Sequence, residues 1–312
     1  MSRRLEIFQV DAFTDVPFKG NPAGVVLGAD ALSATEMQAI ARELNNPVSA
    51  FVLEPEGTDH DFRIRFFTPT TEVSMCGHAT IAANQVRALR AGTPELRATQ
   101  KTRAGLVAVD VRTWEGRAEV WMTLPVLETG RSLDGRQRDR VLGTLDLRDR
   151  DLLPNAPIQV ASSGNAMLLV PLRERAALHA LAPDLPELGE VCEVIGAQAC
   201  FPFTLDAEPD VLTHARMFAP MIGIPEDPVS GTAHGPLGIY LVKHGLARHD
   251  GKTLRFRSRQ GEAMGRPGTA SVEVDIAGNA ASQVRVGGTA VIAFEARLEL
   301  PDDHAPAPSA AS

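Results

Sequence analysis

The chain has 312 residues, 44% of them apolar and 22% charged, an ordinary globular composition with room for two domains and a sizeable core. A net charge of −8 and a pI near 5.5 argue against nucleic acid as the main partner and leave a small anionic metabolite open, because the field inside a cleft differs from the total. No run reaches the ~18 apolar residues that span a membrane. Met1-Ser2-Arg3-Arg4 leads into an alternating pattern rather than an apolar leader, and Cys76, Cys192 and Cys200 make no disulfide framework, so a cytoplasmic, reduced protein is expected.

In chain order, Leu5–Phe13 alternates as a strand and Val16–Gly24 reads as a loop rich in turn residues. Ser33 and Glu36 have capping-box spacing, and Met37, Ile40, Ala41 and Leu44 follow on one helical face, which predicts a helix over 34–44. Phe62, Ile64 and Phe66 alternate with arginines as a strand. Gly77–Ala91 is helical and Gly92 stops it. Strand-like runs follow at 106–111 and 118–123.

The second half repeats this order. It has strand runs at 158–160 and 167–170, a helix within 173–181 and an extended run at 200–205. A helix over 232–244 ends at Gly245, and alternating runs lie at 254–257, 271–276 and 290–300. The two apolar helices begin about 154 residues apart, close to half the chain, so an internal duplication is expected. The expected division is a first domain of 1–125 plus a returning 286–300, a second of 126–285, and a disordered Ala/Pro/Ser tail over 301–312. Strands cluster without regular intervening helices, so the expected class is α+β rather than a doubly wound parallel sheet. No phosphate-binding glycine motif occurs, so no nucleotide cofactor is expected.

Two motifs carry chemistry: Met75-Cys76-Gly77-His78-Ala79-Thr80 and Asp227-Pro228-Val229-Ser230-Gly231-Thr232-Ala233. Each sets a titratable side chain at the start of a helix, where unpaired N–H groups and the positive dipole end suit a carboxylate or enolate. At such a start Cys76 is expected to have a lowered pKa and His78 to be neutral. Asp227 precedes a proline that keeps its backbone extended and aims its carboxylate at Ser230-Gly231-Thr232. Gly77 and Gly231 allow close approach of backbone N–H groups, and Ser230 and Thr232 add hydroxyls. Asn21 is either a turn residue or an amide holding a carboxylate across a cleft, and Glu72 is either a supporting partner or a solvated strand end. His234 and His244 are ten apart, not metal-ligand spacing, and no metal site is expected.

Val10-Asp11-Ala12-Phe13-Thr14, Pro17-Phe18-Lys19-Gly20-Asn21-Pro22-Ala23, Phe67-Thr68-Pro69 and the two motifs, over roughly Leu5 to Leu300, closely resemble the phenazine-biosynthesis isomerase-like family. The resemblance implies the diaminopimelate epimerase-like fold: two similar domains, each a β-barrel-like sheet around a central helix, with the active site between them. It implies a homodimer that uses no cofactor and moves a proton on a small, cyclic amino acid. The family histidine falls on His78, its aspartate on Asp227, its helix-start residues on Gly77, Gly231 and Thr232, and the epimerases' cysteine on Cys76. One departure stands out. Where the family's acid/base glutamate is expected, Leu44-Asn45-Asn46-Pro47-Val48-Ser49-Ala50-Phe51-Val52 puts Val48. The expected function is a cofactor-independent isomerase or epimerase of a small amino or hydroxy acid, with Cys76 or Asp227 moving the proton and His78 polarising an oxygen. The alternatives are a metabolite binder that has lost the glutamate, and a Cys76–His78 hydrolase. The hydrolase is disfavoured because residues two apart do not face each other at a helix start.

Overall fold

In a computed structural model, residues 3–301 are described except 94, 115, 128–129 and 131; the tail expected over 301–312 lies, from 302 on, outside the described residues. In chain order the elements are β1 (Arg3–Ala12), β2 (Asn21–Leu27), α1 (Ala34–Leu44), β3 (Val48–Leu53), β4 (Phe62–Phe67), β5 (Glu72–Val73), α2 (Gly77–Ala91), β6 (Leu96–Thr102), β7 (Gly105–Trp114) and β8 (Arg117–Leu124). They continue as α3 (Gly135–Thr144), β9 (Gln159–Ser162), β10 (Ala166–Leu172), α4 (Arg175–Ala180), α5 (Leu185–Ile195), β11 (Ala199–Thr204), β12 (Thr213–Ala215), α6 (Gly231–Lys243), β13 (Thr253–Gln260), β14 (Gly268–Ala277), β15 (Ala280–Gly288) and β16 (Ala290–Leu300).

The internal duplication is visible in the strand pairing. In the first half β1–β2 is antiparallel, β2–β3 parallel, β3–β4 antiparallel, β4–β6 parallel, and β6–β7 and β7–β8 antiparallel. In the second half β9–β10, β10–β11, β11–β12, β12–β13, β13–β14 and β14–β15 repeat the same six relations in the same order. A parallel pair needs a crossover, and each is bridged by helix: α1 and then α2 in the first half, α4–α5 and then α6 in the second. The halves join by antiparallel pairing of β8 with β15. Each also sends its last segment to the other's edge. β16 pairs with β1, and Ser132, just past β8, bridges to Gln159 of β9.

α2 packs on β1, β2, β3, β7, β8 and β16, and α6 on β9, β10, β13, β14 and β15, so each half's sheet curls around one helix. Both helices are made of small residues where strands press closest. A Cβ on Gly238 would lie 2.7 Å from Val274, and one on Gly235 2.7 Å from the Ser163 hydroxyl. Pro236 removes an N–H from the interior of α6, and the Thr232 carbonyl left by it accepts from Ser163 Oγ at 3.5 Å. One apolar core runs through both halves, with Phe13, Ile81 and Met122 in the same cluster as Ala233, Leu237 and Tyr240.

Two local expectations need correction. The loop expected over 16–24 ends at Gly20, because Asn21–Gly24 already pairs with β1; Pro22 is tolerated there since its only ladder partner is Asp11. The strands β3, β6, β12 and β15 and the helices α3 and α5 have no counterpart in the sequence reading. β3 is buried at every position and therefore shows no alternation.

Candidate active site

Asp227 is held from both halves of the molecule. Its backbone N–H donates to Met217 O at 3.0 Å, and its carbonyl accepts from Gln260 Nε2 at 2.7 Å. Arg216 grips the adjacent Glu226 with two hydrogen bonds of 2.8 Å. Asn21, at the start of β2, donates from Nδ2 to Asp227 Oδ1 at 2.8 Å and to Val229 O at 2.9 Å. The Ser230 hydroxyl donates to Asp227 Oδ2. Asn21 thus does hold a carboxylate across the two halves, and that carboxylate is Asp227's. Both donations come from its amide nitrogen, which leaves Oδ1 buried with no protein partner.

On the other side, Cys76 caps α2 with an extended backbone, φ −145° and ψ 124°. That conformation folds its side chain back over the first turn, and Sγ lies 3.4 Å from His78 Nδ1. The expectation that residues two apart would not meet here is wrong for this reason: Cys76 lies outside the helical spiral. Thr80 Oγ1 donates to Cys76 O at 2.7 Å, and a buried Thr80–Asn84–Gln100 network pins the helix.

The two helix starts abut. A Cβ on Gly77 would lie 3.4 Å from both the backbone N and Cγ2 of Thr232, and 3.0 Å from Met122 Cε. One on Gly231 would lie 2.8 Å from Phe13 Cζ and 2.9 Å from the same Met122 Cε. Phe13 and Met122 are the wedge between them. Phe13 adopts φ 65°, a conformation costly for a bulky residue, fixed by hydrogen bonds to Thr289 and Thr269.

Capping separates these two helices from their neighbours. Ser33, Asp134 and Asp184 side chains cap α1, α3 and α5. No side-chain oxygen caps α2 or α6, because the first begins at a cysteine and the Ser230 hydroxyl is committed to Asp227. The short α4 also lacks a side-chain cap, but α2 and α6 are the two uncapped starts that meet, and N–H groups at Gly77, Gly231 and Thr232 lie where they abut. Cys76, His78 and Asp227 keep 9%, 7% and 8% exposure, so the place where the two helix starts meet is nearly closed to solvent.

Burial decides the protonation states. It pushes the Cys76 thiol up to about 12; N–H groups of Ala79 and His78 pull the other way, while the Asp227 charge pushes further up. The expected lowering of the Cys76 pKa is thus reversed, since desolvation outweighs the helix start. Burial lowers His78 to about 4, so its imidazole is neutral. Burial raises Asp227 to about 6 against hydrogen bonds from Ser230 and Asn21, with Glu226 adding to the rise.

The other singled-out residues have structural places. Glu72 forms ion pairs with Arg65 at 2.8 Å and Arg103 at 3.1 Å, a strand-end network. His234 bridges Ser230 O at 2.8 Å and Ser258 Oγ at 2.9 Å, bracing the start of α6, and His244 Nε2 meets Gln159 at 2.7 Å. Cys192 and Cys200 are buried in the α5–β11 core. Val48 opens β3 opposite Ala23 and packs in the apolar cluster that contains Cys76. Gln260, Met122 and Phe13 were not read as site residues. Phe13 lies inside a quoted motif, whereas Gln260 and Met122 carry no local signal.

A duplicated sheet-around-helix fold of epimerase-like architecture thus brings three titratable side chains to the place where its two helix starts meet. The phenazine biosynthesis-like protein family matches residues 10–296. The chain is 41% identical over 301 residues to an uncharacterised isomerase of Clostridium acetobutylicum, covering 96% of this chain and all of that one. It is 33% identical over 291 residues to the trans-2,3-dihydro-3-hydroxyanthranilate isomerase of Pseudomonas aeruginosa, covering 93% and 98%. The crystal structure of a Bacillus anthracis protein of the same family superposes with a TM-score of 0.86 at 29% identity, covering 95% and 99%. The chain belongs to the phenazine biosynthesis-like family.

Proposed function

We propose that the chain catalyses a cofactor-independent proton shift on a small, unsaturated cyclic amino or hydroxy acid, with Asp227 as the proton carrier. The observation that carries this is that the two helix starts abut, Gly77 against Thr232, which brings the Asp227 carboxylate, held by Asn21 and Ser230, within electrostatic reach of the Cys76 thiol. Burial leaves the carboxyl near 6, the thiol near 12 and the imidazole near 4. Of the three, only Asp227 exchanges a proton readily near neutral pH. The substrate carboxylate would sit on the N–H groups of Gly77, Gly231 and Thr232, where negative charge is favoured. Asp227 takes a proton from carbon and the electron pair delocalises toward an oxygen or the adjacent double bond. His78 donates a hydrogen bond to that charge. Asp227, now neutral, returns the proton to a second carbon of the same face.

A single carrier gives a 1,3- or 1,5-shift. Inversion at one carbon needs a second acid on the opposite face, which a thiol near 12 supplies poorly. This favours isomerisation over epimerisation. The resemblance to an isomerase of a cyclic dihydro-hydroxyanthranilate supports the substrate class. Asn21 Oδ1, buried without a protein partner, would accept from a substrate N–H or O–H.

The competing reading is a non-catalytic metabolite binder, favoured by Val48 at the position of the family glutamate. Incubation in D₂O with cyclic amino and hydroxy acids separates the two. Deuterium entering carbon in the wild type, and not in Asp227→Asn, supports the enzyme. A ligand that binds tightly with no exchange, equally in both proteins, supports the binder.

A further inference from the structure

Outside this site, three side chains far apart in sequence converge. His214 of β12 is fully buried and its Nδ1 lies 2.6 Å from Glu262 Oε2. His179, at the end of α4, brings Nε2 to 3.1 Å from the same oxygen. One ligand atom from each of His179, His214 and Glu262 lies within 4.8 Å of the others. We propose that His179, His214 and Glu262 bind one divalent transition-metal ion of the zinc type, with water as the fourth ligand.

Two features beyond proximity support this. The first is donor chemistry. Two imidazoles and one carboxylate with an open position form a common zinc ligand set, and bonds of ~2.0–2.2 Å place tetrahedral ligand atoms about 3.2–3.5 Å apart. The two distances to Glu262, 2.6 and 3.1 Å, reach that spacing with shifts under an ångström, and all three ligand atoms already lie within 4.8 Å of one another. The second is the orientation of His214. Its other ring nitrogen, Nε2, lies 2.7 Å from Glu208 Oε2, and Glu208 is in turn held by Arg175, whose Nη1 is 3.4 Å from that Nε2. A carboxylate on the far nitrogen fixes the ring so that Nδ1 points at Glu262, and it would hold the proton on Nε2 once Nδ1 binds an ion, the usual support for a metal-bound histidine. Metal binding displaces the proton on Nδ1, and the ion takes over the role of bridging the ring and Glu262. The side chains of His179 and Glu262 are 40% and 27% exposed, which leaves the ion a way in.

The ion would tie together three segments that also support Asp227. Arg216, two residues after His214, donates to the carbonyls of Leu178, His179 and Leu181 and pairs with Glu226. Gln260, two residues before Glu262, donates to the Asp227 carbonyl. The site is therefore structural, and its failure would leave the proton-transfer reading untouched.

The test uses the full-length chain stripped with chelator and titrated with Co²⁺ and Zn²⁺. We expect one ion per chain, tetrahedral Co²⁺ absorption displaced by Zn²⁺, and a rise in Tm on adding Zn²⁺. Glu262→Gln and the half-exposed His179→Gln should abolish the Co²⁺ bands and the Tm rise, and Glu208→Gln should weaken affinity about 10–100-fold. No saturable binding to folded wild type would overturn the proposal and leave a proton-bridged ion-pair cluster. Unchanged bands in both His179→Gln and Glu262→Gln would overturn it as well, by placing the ion elsewhere.

Discussion

The two halves share one strand order and one central helix each, yet they place opposite chemistry at the helix start. The α2 start presents a thiol and a neutral imidazole inside an apolar cluster; the α6 start presents an ionisable carboxyl held by Asn21 and Ser230. Duplication supplies the geometry, two uncapped helix ends meeting at Met122, and divergence leaves one carboxyl there, Asp227, the proposed proton carrier. A symmetrical site would hold two competing bases. This one sets a carboxyl on one side against a neutral imidazole and a thiol on the other.

The largest expected effect breaks the α6 side. Asp227→Asn keeps the shape but removes the carrier, and should lower the deuterium-exchange rate by about 10²–10⁴-fold with the fold intact by circular dichroism. Equal rates in variant and wild type would move the carrier to the α2 side. Next comes the α2 side itself. His78→Gln should cost about 10–10²-fold, since it removes one hydrogen bond to developing charge. Cys76→Ser should cost less than either, and a loss as large as that of Asp227→Asn would restore the thiol as an acid.

Val48→Glu sharpens the comparison by adding a second carboxyl on the α2 side. Buried in the Cys76 cluster, it should destabilise by about 1–3 kcal/mol and its carboxyl pKa should rise. Thermal melts at pH 5 and 8, with the larger loss at pH 8, would check this. The glycines differ as well. Gly231→Ala meets the rigid Phe13 ring at 2.8 Å, whereas Gly77→Ala meets chiefly the flexible tip of Met122 at 3.0 Å. The first should cost about 1–3 kcal/mol and the second less, read from denaturant midpoints.

The last difference is in pH dependence. Asp227 is raised from 3.8 to about 6, so the folded chain holds its proton more tightly than the unfolded one; that stabilisation is complete below pH 4 and is lost as pH rises through 6. His78 and His234, lowered from 6.5 to about 4, act oppositely: their stabilising neutral burial is present above 6.5 and lost as pH falls through 4. Two such histidines against one aspartate predict that their combined contribution rises with pH over 4–6.5. In Asp227→Asn that rise should be steeper, with the variant gaining on wild type by about 1–3 kcal/mol between pH 4 and 7. A flat difference between the two would remove the raised pKa from the account.

Much was legible where local chemistry repeats. α1 announced itself by the Ser33–Glu36 box, α2 by its apolar face and Gly92 stop, and both helix starts by small residues beside a titratable group. β3 and β6 were not: β3 is buried on both faces and shows no period of two, and β6 alternates in burial but turns Ala98, Gln100 and Thr102 inward, so no apolar period appears. The proposed His179–His214–Glu262 metal site carries no sequence signal for a related reason. His179, His214 and Glu262 are spread over 84 residues, and no spacing rule spans that distance.

By itself the sequence determined the duplicated architecture, the family, and which residue types stand at each helix start, since these follow from periodicity, capping and contiguous motifs. Only the tertiary structure decided which of those groups is ionised, that Cys76 reaches His78, and that Asn21 reaches Asp227 across 206 residues. Protonation and long-range contact depend on what surrounds a side chain in space. Desolvation and cross-chain hydrogen bonds arise only once the two halves close around their helices.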